Sequence, residues 1–353
     1  MKNKLLCMLL AVMLILPVVA ANAEFASFLP TRQFEGVTYE ARSSNSVTTM
    51  LLIGYDHNDE GALNEIPEDY IQGGQSDFLL LLVFDHENKV IRQLQPNRDT
   101  ITPVRYYTRA GEYRGLRDLQ LCLSHAYGDT QELNNKNTIW AVENLLGISG
   151  EYDGAQIDYY ISMDISGIAK LNDLLGGVTV PIEDDFSHVD PSMVMGTTMK
   201  LTGDQAEFYC RGRHHVADST NLNRMKRQRI YIAEASKLLK EKVSADPEFA
   251  YELLNGMGII FDTTKDLDAG FGFTTTDSQG TPITDTPSHF LMTNQSLDGI
   301  VALMLQVLDY EIGSTEVLPG NSAVNKSTGF MDHIVEENAG LKWALDALYN
   351  PVN

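Results

Sequence analysis

The sequence predicts an α/β protein in which a layered sheet carries helices on both faces. Short apolar runs that suit β-strands alternate along the chain with segments whose apolar residues recur at helical spacing. One of these runs, residues 78–84, is continuously apolar, which is typical of a strand that is buried on both faces of a sheet. Strands that alternate with helices favour such a layered arrangement.

The first predicted strands lie in the N-terminal third of the chain. Residues 47–55 form a β-rich apolar run that ends in Gly54-Tyr55-Asp56. Residues 85–89 have the composition of a turn, so residues 90–94 are predicted to be the hairpin partner of residues 78–84. The sequence therefore predicts three strands in this region.

Helices and strands then alternate towards the C-terminus, and glycines mark the ends of two of the helices. The predicted elements are helix 137–146, strand 157–161, helix 165–175, strand 178–180, a helix from Arg224 to about Lys242, and helices within 297–308 and 341–348. Residues 263–287 are rich in Thr, Asp and Gly and are predicted to form a long loop. The helices after this loop are predicted to pack into the same fold.

The charge of the chain argues against some classes of partner. Its 353 residues contain 26 Lys and Arg against 48 Asp and Glu, for a net charge of -22. A field of this sign repels nucleic acid and an anionic membrane surface. We therefore expect no nucleic-acid partner, and any anionic ligand would require a local basic pocket.

The N-terminus predicts export. Lys2 and Lys4 precede an apolar run over residues 5–19, and Ala21-Asn22-Ala23 forms a small-x-small cleavage site. This pattern is typical of a secretory signal peptide, and an uncleaved membrane anchor is the alternative. Both alternatives place the rest of the protein outside the cytoplasm, at the membrane and cell wall or secreted.

The basic residues are concentrated in one segment, residues 205–229, which carries a net charge of +4. Arg211 and Arg213 are two positions apart, whereas Arg224 and Gln228 share a face at the start of a predicted helix. Planar multi-donor side chains at a helix N-terminus form a natural phosphate site. The alternative is that these arginines only pair with surface carboxylates.

Other candidate residues lie at the ends of predicted strands. Arg98-Asp99 follows a strand, where active-site residues of α/β sheets often lie. Asp56 and Asp77 both lie at strand ends, so the fold can bring the two carboxylates together around a hard cation such as Mg²⁺. Each of these residues is, on its own, more often a cap or a solvated carboxylate.

Eight short motifs then follow one another along the chain. They are Gly54-Tyr55-Asp56, Ser76-Asp77, Arg98-Asp99-Thr100, His125-Ala126-Tyr127-Gly128, Gly176-Gly177-Val178, Leu201-Thr202-Gly203-Asp204-Gln205-Ala206, Arg211-Gly212-Arg213-His214 and Arg224-Met225-Lys226-Arg227-Gln228. No single motif is specific, but in this order they resemble the LytR-CpsA-Psr (LCP) family. The resemblance is dense from about residue 47 to residue 242 and fainter from residue 290 onward.

The resemblance implies a layered α-β-α fold with a central mixed sheet, and it implies a bacterial cell-envelope phosphotransferase. Such enzymes move a phosphate-linked glycopolymer from a polyprenyl-pyrophosphate carrier onto peptidoglycan, at the outer face of the cytoplasmic membrane. The prenyl chain would need an apolar tunnel in the α/β core. In this scheme residues 1–23 are the signal or anchor, residues 24–46 a connecting segment, and residues 47–353 the LCP-like catalytic domain.

The resemblance also assigns roles to residues. Asp56 and Asp77 would hold Mg²⁺ on the pyrophosphate. The pyrophosphate oxygens, and the charge that develops on them during transfer, would be stabilised by Arg98, Arg211, Arg213, Arg224 and Gln228. Arg227 would instead serve structure.

This chain departs from the family pattern at two places. The family often has a Lys and an Asn where this chain has Cys122 and Ser124, which removes one phosphate-binding cation. The Asp that the family has three residues before the arginine matched by Arg224 is here Asn221. A carboxylate that activates the sugar hydroxyl would therefore be Asp218 or Asp99.

Cys122 and Cys210 flank motifs that are expected to converge. An exported protein can form disulfides, so the two cysteines are candidates for a bond that braces the site. Two free buried thiols are the alternative.

Two other functions remain open from the sequence. One is a hydrolase that releases the lipid carrier's phosphate to water. The other is a non-catalytic protein that binds prenyl phosphates or wall glycans during envelope assembly or regulation.

Overall fold

A computed structural model describes residues 29–56, 74–107, 112–128, 130–148, 156–213, 216–217, 220–262 and 290–352. The predicted signal or anchor, the predicted loop 263–287 and Asp218 lie outside these residues. Among the described residues, no helix is both long enough and apolar enough to cross a membrane.

The described elements are sixteen strands and seven α-helices. The strands are β1 Thr31–Phe34, β2 Val37–Ala41, β3 Val47–Tyr55, β4 Ser76–Asp85, β5 Val90–Leu94, β6 Ile101–Tyr107, β7 Tyr113–Gln120, β8 Tyr159–Asp164, β9 Thr179–Pro181, β10 Thr198–Lys200, β11 Ile259–Phe261, β12 Leu291–Thr293, β13 Glu311–Glu316, β14 Gly320–Val324, β15 Met331–Val335 and β16 Tyr349–Val352. The helices are α1 Gln131–Leu145, α2 Gly167–Leu175, α3 Gly203–Arg211, α4 Asn221–Ala245, α5 Phe249–Gly256, α6 Leu297–Gln306 and α7 Ala339–Leu348. A short 3₁₀ helix, Leu121–His125, precedes α1.

The central sheet is mixed and has seven strands in the order β11-β12-β8-β3-β4-β5-β13. Strand β3 pairs in parallel with β8 and antiparallel with β4, and β4 pairs antiparallel with β5. The ends of β3 and β5 and the start of β4 therefore lie at one end of the sheet. Asp56, Asp77 and Arg98 all lie close to these strand ends.

Helices cover both faces of the sheet, as the sequence predicts. Alternate residues of β4 face opposite sides because side chains in a strand alternate with a period of two. Leu79 and Leu81 pack into a core that includes residues of α1 and α7. Phe78 and Leu82 face the opposite side, where the helices α2, α4, α5 and α6 lie.

Residues within the predicted connecting segment form regular structure. Strands β1 and β2 pair with each other, and β2 also pairs with the C-terminal strand β16. Strands near the two ends of the described chain, β1, β2 and β16, therefore form one small sheet. Two further hairpins, β6–β7 and β14–β15, lie outside the central sheet.

Candidate functional site

Two arginines share one carboxylate at the end of the central sheet. Asp77, at the start of β4, forms an ion pair with Arg98, and its Oδ2 atom accepts a hydrogen bond of 2.8 Å from Arg224 Nη1. The side chain of Arg224 is 5% exposed, and those of Asp77 and Arg98 are each 13% exposed. Three of the predicted site residues, Asp77, Arg98 and the distant Arg224, therefore form one buried cluster.

The cluster retains donor capacity for an anion. The buried Nε atom of Arg224 has no hydrogen-bond partner among the described residues, whereas that of Arg98 lies 3.4 Å from the carboxylate of Asp99. Burial lowers the pKa of Arg224 to about 9, and the positive charges of Arg98 and Arg213 act in the same direction. Arg213 therefore lies within electrostatic reach of the cluster, and the Arg224 guanidinium stays charged at neutral pH. Neighbouring guanidinium groups are the kind of donor that binds phosphate by charge-assisted hydrogen bonds.

The turn that carries Arg98 and Asp99 is held from two sides. The carbonyl oxygen of Arg98 accepts a hydrogen bond of 2.9 Å from the backbone N–H of Cys122, in the 3₁₀ helix. The carbonyl oxygen of Asp99 accepts one of 2.9 Å from the backbone N–H of His333, in β15. The C-terminal hairpin β14–β15 is thus part of the support of the site.

Asp99 is placed to orient Arg98. Its Oδ1 atom lies 3.4 Å from Arg98 Nε, and the residue is only 4% exposed. Its predicted role as general base stays a prediction, as does that of Asp218, which lies outside the described residues.

Asp56 is joined to the arginine cluster through Gln75, a residue that the sequence reasoning missed. The backbone N–H of Gln75 donates to Asp56 Oδ1 over 2.7 Å, and its side-chain Oε1 accepts from Arg98 Nη2 over 2.5 Å. Gly74 adopts a φ of +71°, and a Cβ there would overlap the carbonyl oxygen of Asp56. Only glycine therefore allows the chain to pass so close to Asp56.

Asp56 and Asp77 are the two carboxylates that the resemblance implies for Mg²⁺, and this role stays a prediction. Within the described part of the chain, no three His, Cys, Asp or Glu side chains form a metal cluster. Mg²⁺ is usually held by one or two carboxylates together with waters and substrate phosphates. Asp56 and Asp77, at the ends of paired strands β3 and β4, supply that number of carboxylates.

A cavity of about 370 Å³ opens between the sheet and the helices α2, α4, α5 and α6. Its lining is almost entirely aliphatic and aromatic, with Met50, Ile161, Leu171, Tyr231 and Leu303 among the wall residues. Asp77 and Gln228 also line it, so one part of this apolar cavity borders the arginine cluster. A smaller cavity of about 150 Å³ continues along α4 and shares wall residues such as Leu239 and Met304.

Gln228 lies where the cavity and the cluster meet. Its Nε2 atom donates to the carbonyl oxygen of Cys210 over 3.3 Å, and its Oε1 atom lies 3.5 Å from Gln95 Nε2. The residue is buried. The structure thus brings Gln228 and Arg224 to the same site, one helical turn apart on α4.

Arg227 serves structure, as the sequence predicts. Its side chain is 3% exposed and donates to the carbonyl oxygens of Tyr209, at 3.0 Å, and Gly212. It also forms an ion pair of 2.6 Å with Asp184. These bonds attach α4 to the end of α3.

Arg211 is placed differently from the other predicted phosphate ligands. Its side chain is 54% exposed and pairs with Glu207, one turn earlier on α3, at 3.2 Å. A contact with phosphate would require this exposed side chain to leave Glu207. Its role in phosphate binding stays a prediction.

The disulfide hypothesis is wrong for this structure, because Cys122 and Cys210 are both free and buried. The Sγ atom of Cys122 instead contacts Gln75 Oε1 at 3.8 Å, whereas Cys210 lines the apolar cavity. Burial raises the pKa of the Cys122 thiol to about 11 and raises that of Cys210 further. Both thiols are therefore protonated at neutral pH.

Comparison with known proteins identifies relatives of this chain by sequence. The model of the LytR_cpsA_psr family matches residues 19–276. The chain is 34% identical, over 140 residues, to the polyisoprenyl-teichoic acid–peptidoglycan teichoic acid transferase TagU of Halalkalibacterium halodurans. This match covers 40% of the present chain and 40% of TagU.

Solved structures share the fold. The crystal structure of Bacillus subtilis TagV has a TM-score of 0.57 and 17% sequence identity, and the match covers 86% of this chain and 95% of TagV. A structure of TagT bound to LI-WTA has a TM-score of 0.54 and 16% identity, over 91% of this chain and 95% of the TagT chain. The α/β fold with a central mixed sheet that the sequence predicts is confirmed.

Proposed function

The chain belongs to the LytR_cpsA_psr family, and we propose that it transfers a phosphate-linked glycopolymer from a polyprenyl-pyrophosphate carrier onto peptidoglycan. One observation carries the proposal: an apolar cavity borders a buried arginine cluster at Asp77 and Gln228. A prenyl diphosphate has the same two parts, an apolar chain and an anionic head. The printed name of TagU describes a transfer of the same class, from a polyisoprenyl-linked polymer to peptidoglycan.

The donor substrate fits the site in one orientation. The prenyl chain would lie among the aliphatic walls formed by residues such as Leu171 and Leu303. The diphosphate would then lie against the guanidinium groups of Arg98 and Arg224, which meet at Asp77. Arg213 adds positive charge within electrostatic reach of Arg224. Burial of these guanidinium groups strengthens their attraction for the anion, because the surrounding dielectric is low.

The chemical step is a phosphoryl transfer. A hydroxyl oxygen of peptidoglycan attacks the phosphorus atom that carries the glycopolymer, and the bond from this phosphorus to the bridging oxygen breaks. Polyprenyl monophosphate leaves with the electron pair of that bond, and the hydroxyl proton passes to a base. Asp99 and Asp218 are the proposed candidates for this base. The charge that develops on the phosphoryl oxygens faces the arginines, which are positioned before the reaction begins.

We also propose that the reaction depends on Mg²⁺. Asp56 and Asp77 would hold the ion, which would neutralise part of the diphosphate charge. Gln75 links Asp56 to Arg98, because its backbone N–H bonds Asp56 and its side chain bonds Arg98.

The proposed site of action is the outer face of the cytoplasmic membrane. The basic and apolar segments at the N-terminus of the sequence support export. The carrier lipid and the peptidoglycan acceptor would both be accessible there.

The test is a transfer assay with the full chain in lipid nanodiscs, Mg²⁺, a prenyl-pyrophosphate-linked glycan and peptidoglycan oligomers. We expect wild type to form the linked product, and Arg98→Ala and Arg224→Ala to lose about 100-fold or more in rate. Arg211→Ala measures the role of the exposed arginine. Lys226→Ala is the matched control, because Lys226 lies on the same helix but is exposed and pairs with Glu183.

Three results would count against the proposal. Equal transfer by wild type, Arg98→Ala and Arg224→Ala would show that the site is wrong. Accumulation of free polymer in place of linked polymer would favour the hydrolase. Binding of prenyl diphosphate without Mg²⁺-dependent turnover would favour a non-catalytic binding protein.

A further inference from the structure

Two buried asparagine side chains connect the turn that carries Arg98 to the first residue of α4. Asn221 Nδ2 donates a hydrogen bond of 2.9 Å to Asn97 Oδ1, between residues that are 124 positions apart in sequence. Asn97 is 9% exposed and Asn221 is 5% exposed. Because a buried hydrogen bond is costly to leave unmade, this contact fixes the helix start relative to the turn.

Each asparagine of this pair makes a second bond to the charged residues of the site. Asn221 Oδ1 accepts a hydrogen bond of 2.7 Å from Arg224 Nη2. Asn97 Oδ1 also accepts one of 3.0 Å from the backbone N–H of Asp99. A continuous series of hydrogen bonds therefore runs from the Arg98-Asp99 turn to the Arg224 guanidinium.

We propose that Asn221 is a positioning residue that acts through Arg224. This inference rests on the proposed function. The family pattern has an Asp at this position together with a Lys at the position of Cys122, and this chain lacks both charges. The neutral amide of Asn221 therefore orients the guanidinium for the donor diphosphate without adding a negative charge that no lysine would balance. The negative charges of Asp77 and Asp99 already equal the positive charges of Arg98 and Arg224.

An aspartate at position 221 would change the site in two ways. Its carboxylate would still accept from Arg224 but would add a negative charge at hydrogen-bond distance from this residue. It would also lack the N–H that bonds Asn97 Oδ1. Both changes weaken the attraction of the cluster for a diphosphate, since the sum of the four charges becomes negative.

The test measures binding of inorganic pyrophosphate to the full chain by calorimetry. We expect Asn221→Asp to bind pyrophosphate at least tenfold more weakly than wild type, because the anion meets the added charge. Asn221→Ala and Asn97→Ala should each weaken binding by about three- to tenfold through the lost hydrogen bonds. The double variant should lose no more than the larger single loss, because the two amides act as one unit.

Asn223→Asp is the matched control. It adds the same charge in the same first turn of α4, but the Asn223 side chain makes none of these bonds. We expect pyrophosphate binding by this variant to stay within about twofold of wild type. In transfer assays, Asn221→Asp should raise KM for the lipid-linked donor about tenfold and leave KM for peptidoglycan unchanged. A purely structural role would instead lower kcat by reducing the folded fraction.

Several results would overturn the inference. They are additive losses in the Asn97→Ala/Asn221→Ala pair, equal losses for Asn221→Asp and Asn223→Asp, or wild-type binding by Asn221→Asp. If these variants behave as expected but wild type transfers no polymer, the proposed function fails while the positioning role stands. If transfer is intact and Asn221→Asp binds pyrophosphate normally, the positioning role fails alone.

Discussion

Asp77 and Arg224 lie 147 positions apart in sequence, yet their side chains form a buried ion pair of 2.8 Å. The other oxygen of Asp77 pairs with Arg98. One carboxylate thus holds two cations at the border of an apolar cavity. The arrangement places two guanidinium groups side by side in a buried position next to the cavity.

Removing the charge of Asp77 should destabilise the fold. Asp77→Asn would leave Arg98 and Arg224 buried with less counter-charge, which costs about 3–5 kcal/mol when a buried pair is broken. We expect a fall of that size in the free energy of unfolding, measured with urea. Asp309→Asn is the control, because the Lys89–Asp309 pair is 61% exposed on both sides. It should leave the free energy of unfolding nearly unchanged, and equal losses for the two variants would contradict this account.

A bulky side chain in the cavity should reduce transfer from a long-chain prenyl donor more than transfer from a short-chain donor. Leu171→Trp would fill part of the apolar space beside α2. We expect at least a tenfold loss of transfer from a long-chain prenyl donor and a much smaller loss from a short-chain donor. The measurement is kcat/KM for both donors. Leu222→Trp serves as control because Leu222 is exposed on α4 and should leave both values unchanged. Equal losses with the two donors would argue that the prenyl chain lies elsewhere.

Glu143 on α1 should give the protein a stability that depends on pH. Burial raises the pKa of its carboxyl group to about 7, although the backbone N–H of Ile157 donates to it over 2.9 Å. The folded chain therefore binds more protons than the unfolded chain between about pH 4.5 and 7, so stability falls as pH rises through this window.

Glu143→Gln should remove this dependence and keep the bond to Ile157. We expect the variant to be more stable than wild type at pH 8 by about 2–3 kcal/mol, since one pKa unit corresponds to about 1.4 kcal/mol. The measurement is urea unfolding at pH 4.5, 6 and 8. A pH slope that is the same in the variant would show that other groups cause it.

The two buried thiols should be unreactive in the native state. Cys122 and Cys210 are free, and the raised pKa values of their thiols leave little thiolate at pH 8. We expect iodoacetamide to modify neither residue in native protein and both in urea, as read by peptide mass spectrometry. Dithiothreitol should leave the melting temperature unchanged. A drop on reduction would indicate a disulfide after all.

The central strands β3 and β4 could be predicted because their sequences are largely apolar. The prediction of residues 47–55 coincides with β3, and that of residues 90–94 coincides with β5. Helix α1 was harder, since it begins at Gln131 and not near Asn137. Its first turns bury Asn134 and Asn135, so the hydrophobic period that would reveal them is missing. Thr130, whose side chain accepts from the Leu133 N–H, was the available signal.

In the candidate site, too, some residues could be predicted from the sequence and others could not. Arg98, Arg224 and Asp77 could be named because charged residues at strand and helix ends stand out in the sequence. Gln75 could not, because its role comes from two bonds that exist only once β3 and β4 pair. The contact of His333 with Asp99 was also out of reach, since it joins residues far apart through the hairpin β14–β15.

The most direct test of the central claim is the fate of the oxygen that attacks phosphorus. The transfer reaction is run in H₂¹⁸O with the lipid-linked donor and peptidoglycan, and the phosphate group of the glycopolymer product is examined by mass spectrometry. We predict a product joined to peptidoglycan with no ¹⁸O in its phosphate group, together with one polyprenyl monophosphate released per link formed. Free polymer whose phosphate carries ¹⁸O would contradict the account and identify the protein as a hydrolase.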